Sequence, residues 1–132
     1  MPSRCEKRAA FAALLGLVIV ACPALAQEKV ANVRMLVQSS PLAGFRHAAA
    51  DDLWSELREG DRLALIREPD NSFDSNAIRV EWRGRKLGYV PRRENAALAW
   101  ALDRGEALRA RISRCEWHPN PAKRIAFQVF IE

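Results

Sequence analysis

The sequence predicts a mainly β domain, a small closed or nearly closed barrel of about six short strands with one principal helix. Three observations carry this. Apolar and polar residues alternate over Ile78, Val80 and Trp82 and again over Ile125, Phe127, Val129 and Ile131, a period of two that lays one strand face on a core. Turn formers separate such runs at short intervals: Ser39-Ser40-Pro41, Gly60-Asp61, Pro69-Asp70-Asn71, Arg83-Gly84 and Pro119-Asn120-Pro121. A helical stripe is clear over Asn95 to Arg104, through Leu98, Ala101 and Leu102. A barrel removes free strand edges. A two-sheet sandwich is the runner-up, and a helix between strands fits it less well.

The chain begins with a different signal. Arg4, Lys7 and Arg8 precede an apolar run from Ala9 to Cys22, and Pro23-Ala24-Leu25-Ala26 offers an A-x-A cleavage pattern before Gln27. That is the layout of a cleaved signal helix, residues 1–26, ahead of a domain at 27–132. The apolar run is short for a membrane span, which needs about 20 residues. Ile19-Val20-Ala21-Cys22 gives an alternative, a lipoprotein anchored through Cys22, which Pro23 makes less attractive. The expected location is therefore periplasmic or secreted. Removing the segment lowers the formal charge from +5 to +3, which argues for a local basic patch rather than a polycation. Cys115 is then the lone cysteine, so no internal disulfide forms and apolar burial must hold the core.

Along the remaining chain, Val33, Met35 and Val37 suggest a first strand with a core face. Ala48 to Glu59 holds a short helical turn opened by Asp51 or Asp52 and buried through Leu53, Trp54 and Leu57. Arg62 to Arg67 is the second strand and Ile78 to Trp82 the third. Arg83-Gly84 is a hairpin turn leading into Lys86 to Val90, stopped by Pro91. Asn95 is the expected N-cap of the helix, and Gly105 its exit. Ala107 to Trp117 is a strand with Leu108, Ala110 and Ile112 on one face and Arg109 and Arg111 on the other, and Ile125 to Ile131 is the last. The four tryptophans, Trp54, Trp82, Trp100 and Trp117, are expected in the core.

Between the second and third strands, Arg67 to Ile78 contains more than a turn needs. Pro69, Asp70 and Asn71 account for the reversal. Phe73 beside Asp74 does not follow from it. An aromatic next to a carboxylate, with arginines around, suits the end of a nucleic acid: the base stacks, and the carboxylate accepts from a free hydroxyl. The plain alternative makes Phe73 a core residue and Asp74 a cap on the turn.

These residues also resemble a known family. Gly60-Asp61, Leu65-Ile66-Arg67-Glu68-Pro69-Asp70-Asn71-Ser72-Phe73-Asp74, Asn76-Ala77-Ile78 and Lys86-Leu87-Gly88-Tyr89-Val90-Pro91-Arg92 with Asn95 are similar to the HIRAN domain, from about Val33 to the C-terminus. The resemblance implies a modified OB-like barrel that binds single-stranded DNA and reads its 3′-hydroxyl end. It gives Phe73 the stacking role and Asp74 the hydroxyl-accepting role. It sets Arg46 on backbone phosphate and Tyr89 and Arg93 at further backbone contacts. Arg92 belongs to the basic cluster Arg83, Arg85, Lys86, Arg92 and Arg93 that flanks the implied groove. His47 and Ala48 stand where the family often has two tyrosines; histidine can still stack, alanine cannot.

The leading expectation is thus a non-enzymatic, exported module for single-stranded nucleic acid, with Arg46, His47, Phe73, Asp74, Tyr89, Arg92 and Arg93 as its binding residues and no cofactor or metal. The alternative is an envelope module that binds a protein and keeps the barrel without the DNA function. A hydrolase is the third reading, inherited from helicase-fused relatives, because the spacing of His47, His118, Cys115 and Asp74 assembles no nucleophile and base. Asp70, Ser72, Asp74 and Asn76, with Glu81, echo a calcium loop, but Ser75 replaces the required glycine.

Overall fold

A computed structural model describes residues 16, 33–45 and 50–132, so the expected signal segment and Arg46, His47 and Ala48 lie outside the described residues. The strands are β1 (Met35–Pro41), β2 (Arg62–Arg67), β3 (Ile78–Trp82), β4 (Arg85–Tyr89), β5 (Leu108–Cys115) and β6 (Ile125–Ile131). The helices are α1 (Ala50–Trp54) and α2 (Ala96–Asp103). All pairings are antiparallel, in the order β1-β6-β5-β2-β3-β4.

The sheet curls until its two end strands meet, giving the small OB-like barrel. Ala43, just past β1, exchanges two backbone hydrogen bonds with Tyr89 of β4, both 2.9 Å long. Sequence chemistry permits this approach at one point. A Cβ built on Gly88 collides with the Ala43 carbonyl oxygen, so a side chain there would push the seam apart. Bulges bend the strands further: the register slips at Val37 in β1, at Leu87 in β4 and at Ser113 in β5. β3 and β4 join through Arg83 and Gly84, whose φ angles of 48° and 77° make a two-residue turn whose twist matches the flanking strands.

The clean alternations fill the barrel. Ile78, Val80 and Trp82 of β3, Ala110 and Ile112 of β5, and Ile125, Phe127 and Val129 of β6 are buried, together with Leu53 and Leu57 around α1 and Leu98 on α2. β1 departs from expectation. Val33, Met35, Leu36 and Val37 are exposed, and the buried positions are Ser40 and Leu42. The bulge at Val37 sets the inward face beyond it on the even positions, whereas Val33, Met35 and Leu36 before it are exposed on both parities. The helix start also differs. Asn95 donates and accepts no side-chain cap bond to α2, because a 3-10 turn over Arg92–Glu94 leads straight into the helix. Two tryptophans are outside the core: Trp100 and Trp117 are exposed, with Arg104 stacked on the first at 5.0 Å and Arg124 on the second at 5.6 Å. Among the described residues, no helix is long and apolar enough to cross a membrane.

Gly88→Ala should destabilise the domain by about 1–3 kcal/mol, the usual range for overpacking, as read from the urea midpoint. Unchanged stability would mean that the seam is loose.

Candidate functional site

The loop from β2 to β3 is built by polar side chains that each satisfy several backbone groups. Asn71 Oδ1 accepts from the Phe73 and Asp74 amides at 2.9 and 3.2 Å, the Asx arrangement that the turn chemistry favours. The Asp74 carbonyl accepts from the Ala77 amide and closes the turn into β3. Arg67, the last residue of β2, holds the far side. Its guanidinium donates to the Ser75 and Ala77 carbonyls at 3.1 and 2.9 Å and to both oxygens of Asp103 on α2. This fork-shaped donor fixes the loop to a helix and a strand at once.

Asp74 is anchored from two directions. Oδ1 accepts from the Asn76 amide at 2.9 Å and Oδ2 from Asn95 Nδ2 at 2.6 Å. These two bonds, with Arg92 and Arg67 nearby, hold the carboxyl below the ordinary aspartate value of 3.8 against a smaller opposing effect of burial. Asn95 is almost fully buried, 1% exposed, so its amide is a fixed donor. Glu68 is the second hub. Burial pushes its carboxyl up, but hydrogen bonds from Asn71 and Tyr89 and the Arg79 guanidinium outweigh burial and leave it below its ordinary 4.5. The Tyr89 hydroxyl donates to Glu68 at 3.0 Å, and Lys86 Nζ sits 4.4 Å from the Tyr89 ring centroid, a cation–π contact.

Phe73 has no such anchor. It is 85% exposed, which overturns the core alternative for this residue. It rims a cleft of about 640 Å³ that Asp74, Lys86, Tyr89 and Arg92 also line, over an apolar floor of Ala43, Ala77 and Val90. Of the sequence-predicted residues, the structure brings together Phe73, Asp74, Tyr89 and Arg92. Arg93 is exposed on the same 3-10 turn as Arg92 but does not line the cleft. Arg46 and His47 lie outside the described residues, directly after the buried Phe45.

Sequence reasoning missed Asn95, Arg67 and Glu68 as site residues, although all three stand inside the quoted motifs. The signal for Asn95 was a polar residue at a helix start, which capping explained first. Cys115 and His118, named with His47 and Asp74 in the hydrolytic reading, have other neighbours among the described residues, and His47 lies outside them. Cys115 borders a separate cleft with Trp54 and Arg58, and burial pushes its thiol up. His118 Nδ1 accepts from the Asn120 amide. Among the described residues, no three His, Cys, Asp or Glu side chains converge as a metal site would require.

A small antiparallel barrel with an exposed aromatic and a fixed carboxylate on one cleft has the form of a binding module. The HIRAN domain model matches residues 35–132, and the chain belongs to this family. Among curated proteins it is 43% identical over 53 residues to the Fanconi-associated nuclease 1 homolog of Oryza sativa subsp. japonica, covering 37% of this chain and 6% of that protein. It is 40% identical over 48 residues to the helicase-like transcription factor of Oryctolagus cuniculus, covering 36% and 5%. The chain therefore spans a small fraction of the curated relatives it matches. Among solved structures it is similar to a protein from Lactobacillus plantarum (TM-score 0.65, 23% identity, 75% of this chain and 95% of that one). It is also similar to the HIRAN domain of human HLTF (TM-score 0.56, 21% identity, 74% and 78%).

The lowered values of Asp74 and Glu68 carry a sign. Loop stabilisation from both is complete above their ordinary values of 3.8 and 4.5 and is lost as pH falls through the lower folded values. Asn95→Ala should move the Asp74 carboxyl back toward 3.8 in an NMR pH titration and weaken the fold by on the order of 1–3 kcal/mol. A midpoint that stays in place would show that the amide contributes nothing to the carboxylate.

Proposed function

We propose that the Phe73–Asp74 cleft binds the end of a single-stranded nucleic acid and accepts its 3′-hydroxyl. The observation that carries this is an aromatic left 85% exposed beside a carboxylate anchored from both sides. A phenyl ring left exposed beside a charge has a flat face free for a ligand to cover. Base stacking is that contact, and it tolerates any sequence. Each Asp74 oxygen takes one internal hydrogen bond and keeps a further acceptor site for a hydroxyl donor. Lys86 and Arg92 on the same cleft suit the adjoining phosphate. A carboxylate in that position repels internal phosphates, so it favours a terminus. Family membership and the nuclease and helicase-like names of the relatives support nucleic acid as the ligand class. The reading is of a binding module, which membership of the HIRAN family supports.

A second reading, docking of a protein partner in the cell envelope, draws on the exposed Met35, Leu36 and Val37 at the β1 end of the sheet. Recovery of a stoichiometric periplasmic protein by tagged domain, with no oligonucleotide binding, would favour it. In either case we place the protein outside the cytoplasm after cleavage following Ala26. N-terminal sequencing should then begin at Gln27, and a lipid-modified Cys22 at the N-terminus would replace export by anchoring.

Fluorescence anisotropy with matched oligonucleotides ending in a 3′-hydroxyl or a 3′-phosphate tests the main proposal. Phe73→Ala should cost about 1–3 kcal/mol toward both, the range for one stacked base. Asp74→Ala should erase the preference for the hydroxyl. Equal affinity of the unaltered protein for both oligonucleotides would end the claim of terminus recognition.

A further inference from the structure

We infer that the opposite end of β2 carries a second, phosphate-binding cleft that grips a nucleic-acid backbone without regard to its terminus. The inference rests on the nucleic-acid reading above and uses none of the residues of the first cleft. Arg62 opens β2, and its cross-strand partner on β5 is Arg111. Like charges directly opposite on a sheet repel, yet neither guanidinium has an acid partner among the described residues. The acid next to Arg62 in sequence, Asp61, accepts instead from the Arg58 amide at 2.9 Å. Arg109, on the same face of β5 as Arg111, and Arg34 share a single carboxylate, Glu132, at 3.6 and 3.1 Å. Four arginines and one carboxylate thus line a cleft of about 360 Å³.

An arrangement with that excess of positive charge is complete when an anion enters it. Guanidiniums present forked donors that match phosphate oxygens two at a time. Among the described residues no aromatic ring lines this cleft, so they offer no aromatic stacking surface for a base. The ligand chemistry is therefore phosphodiester rather than nucleobase. The two clefts lie at the two ends of β2. Arg67 fixes the first and Arg62 the second, about 17 Å apart along the strand at ~3.3 Å per residue. A terminal nucleotide in the first cleft does not span that distance, so the second contact requires a longer strand.

The test uses the full domain and a 3′-phosphorylated single-stranded decanucleotide, which removes any contribution from hydroxyl recognition. In two-dimensional 15N NMR, the Nε–H signals of Arg62 and Arg111 should shift on addition of the oligonucleotide. R62Q/R111Q should lower the slope of log affinity against log salt by about 1.4, at ~0.7 for each lost single-strand phosphate contact. The same variant should unfold at an unchanged or higher urea concentration, because the substitutions relieve repulsion; that outcome separates binding from folding. Phe73→Ala should leave the change in slope intact, so loss of the first-cleft reading does not remove this one. An unchanged slope, or arginine signals that shift with inorganic pyrophosphate but not with the oligonucleotide, would overturn the proposal.

Discussion

The closure between Ala43 and Tyr89 is the contact on which the remaining geometry depends. It joins the two ends of a six-stranded sheet, and it does so where Gly88 leaves room for the Ala43 carbonyl. Tyr89 has two tasks. Its backbone completes the seam, and its side chain turns into the cleft, where the hydroxyl reaches Glu68 and the ring receives Lys86. Ala43 itself floors that cleft. The candidate site is therefore assembled on the seam, and any loosening of the closure would move the tyrosine, the Glu68 hub and the loop it supports together.

From that seam the loop is fixed by polar contacts that arrive from four elements. Arg67 comes from β2, Asp103 from α2, Tyr89 from β4, and Asn95 from the junction before α2. The pattern concentrates order in the backbone and in Asp74 and withholds it from Phe73. Such a division suits recognition. A fixed carboxylate loses little freedom when a hydroxyl arrives, which keeps the cost of binding low. An aromatic that has not been packed is still able to adjust its plane to an incoming base. The same lattice explains why Glu68 and Asp74 sit below their ordinary values: each has more donors aimed at it than burial can counter.

What the sequence made legible was whatever depends on uninterrupted local periodicity. β3 and β6 alternate without a slip across their buried residues, and their core faces were readable residue by residue. The Arg83-Gly84 turn was readable because glycine there serves a backbone need. β1 was misread because Val33, Met35 and Leu36 are exposed on both faces before the bulge at Val37, and the buried positions fall on the other parity beyond it, neither of which marks the apolar alternation. Trp100 and Trp117 were misread because hydrophobicity alone does not register that arginines can cover an indole at the surface. In the site, Phe73 and Asp74 were legible as residues that a turn does not need, whereas Tyr89 was named from the family resemblance and Arg92 from the basic cluster; all four line the cleft. Asn95 was not, since its contact with Asp74 spans a long stretch of chain and its local position already had an explanation.

The two clefts differ in one respect that bears on how a single small barrel handles a long, uniform polymer. In the first, a carboxylate stands among basic side chains, so attraction to phosphate is incomplete, and under the proposed function a hydroxyl donor would complete the site. In the second, guanidiniums outnumber the carboxylate four to one, so attraction to phosphate is unopposed and carries no information about where on the strand it falls. Phosphate contacts position a ligand, and selective contacts identify it. If both proposals hold, a strand held loosely by the second cleft would remain near the protein while its terminus samples the first. Arg62, in the second cleft, and Arg67, which fixes the loop of the first, lie about 17 Å apart along β2 at ~3.3 Å per residue, beyond the ~8 Å over which exposed charges act at physiological salt.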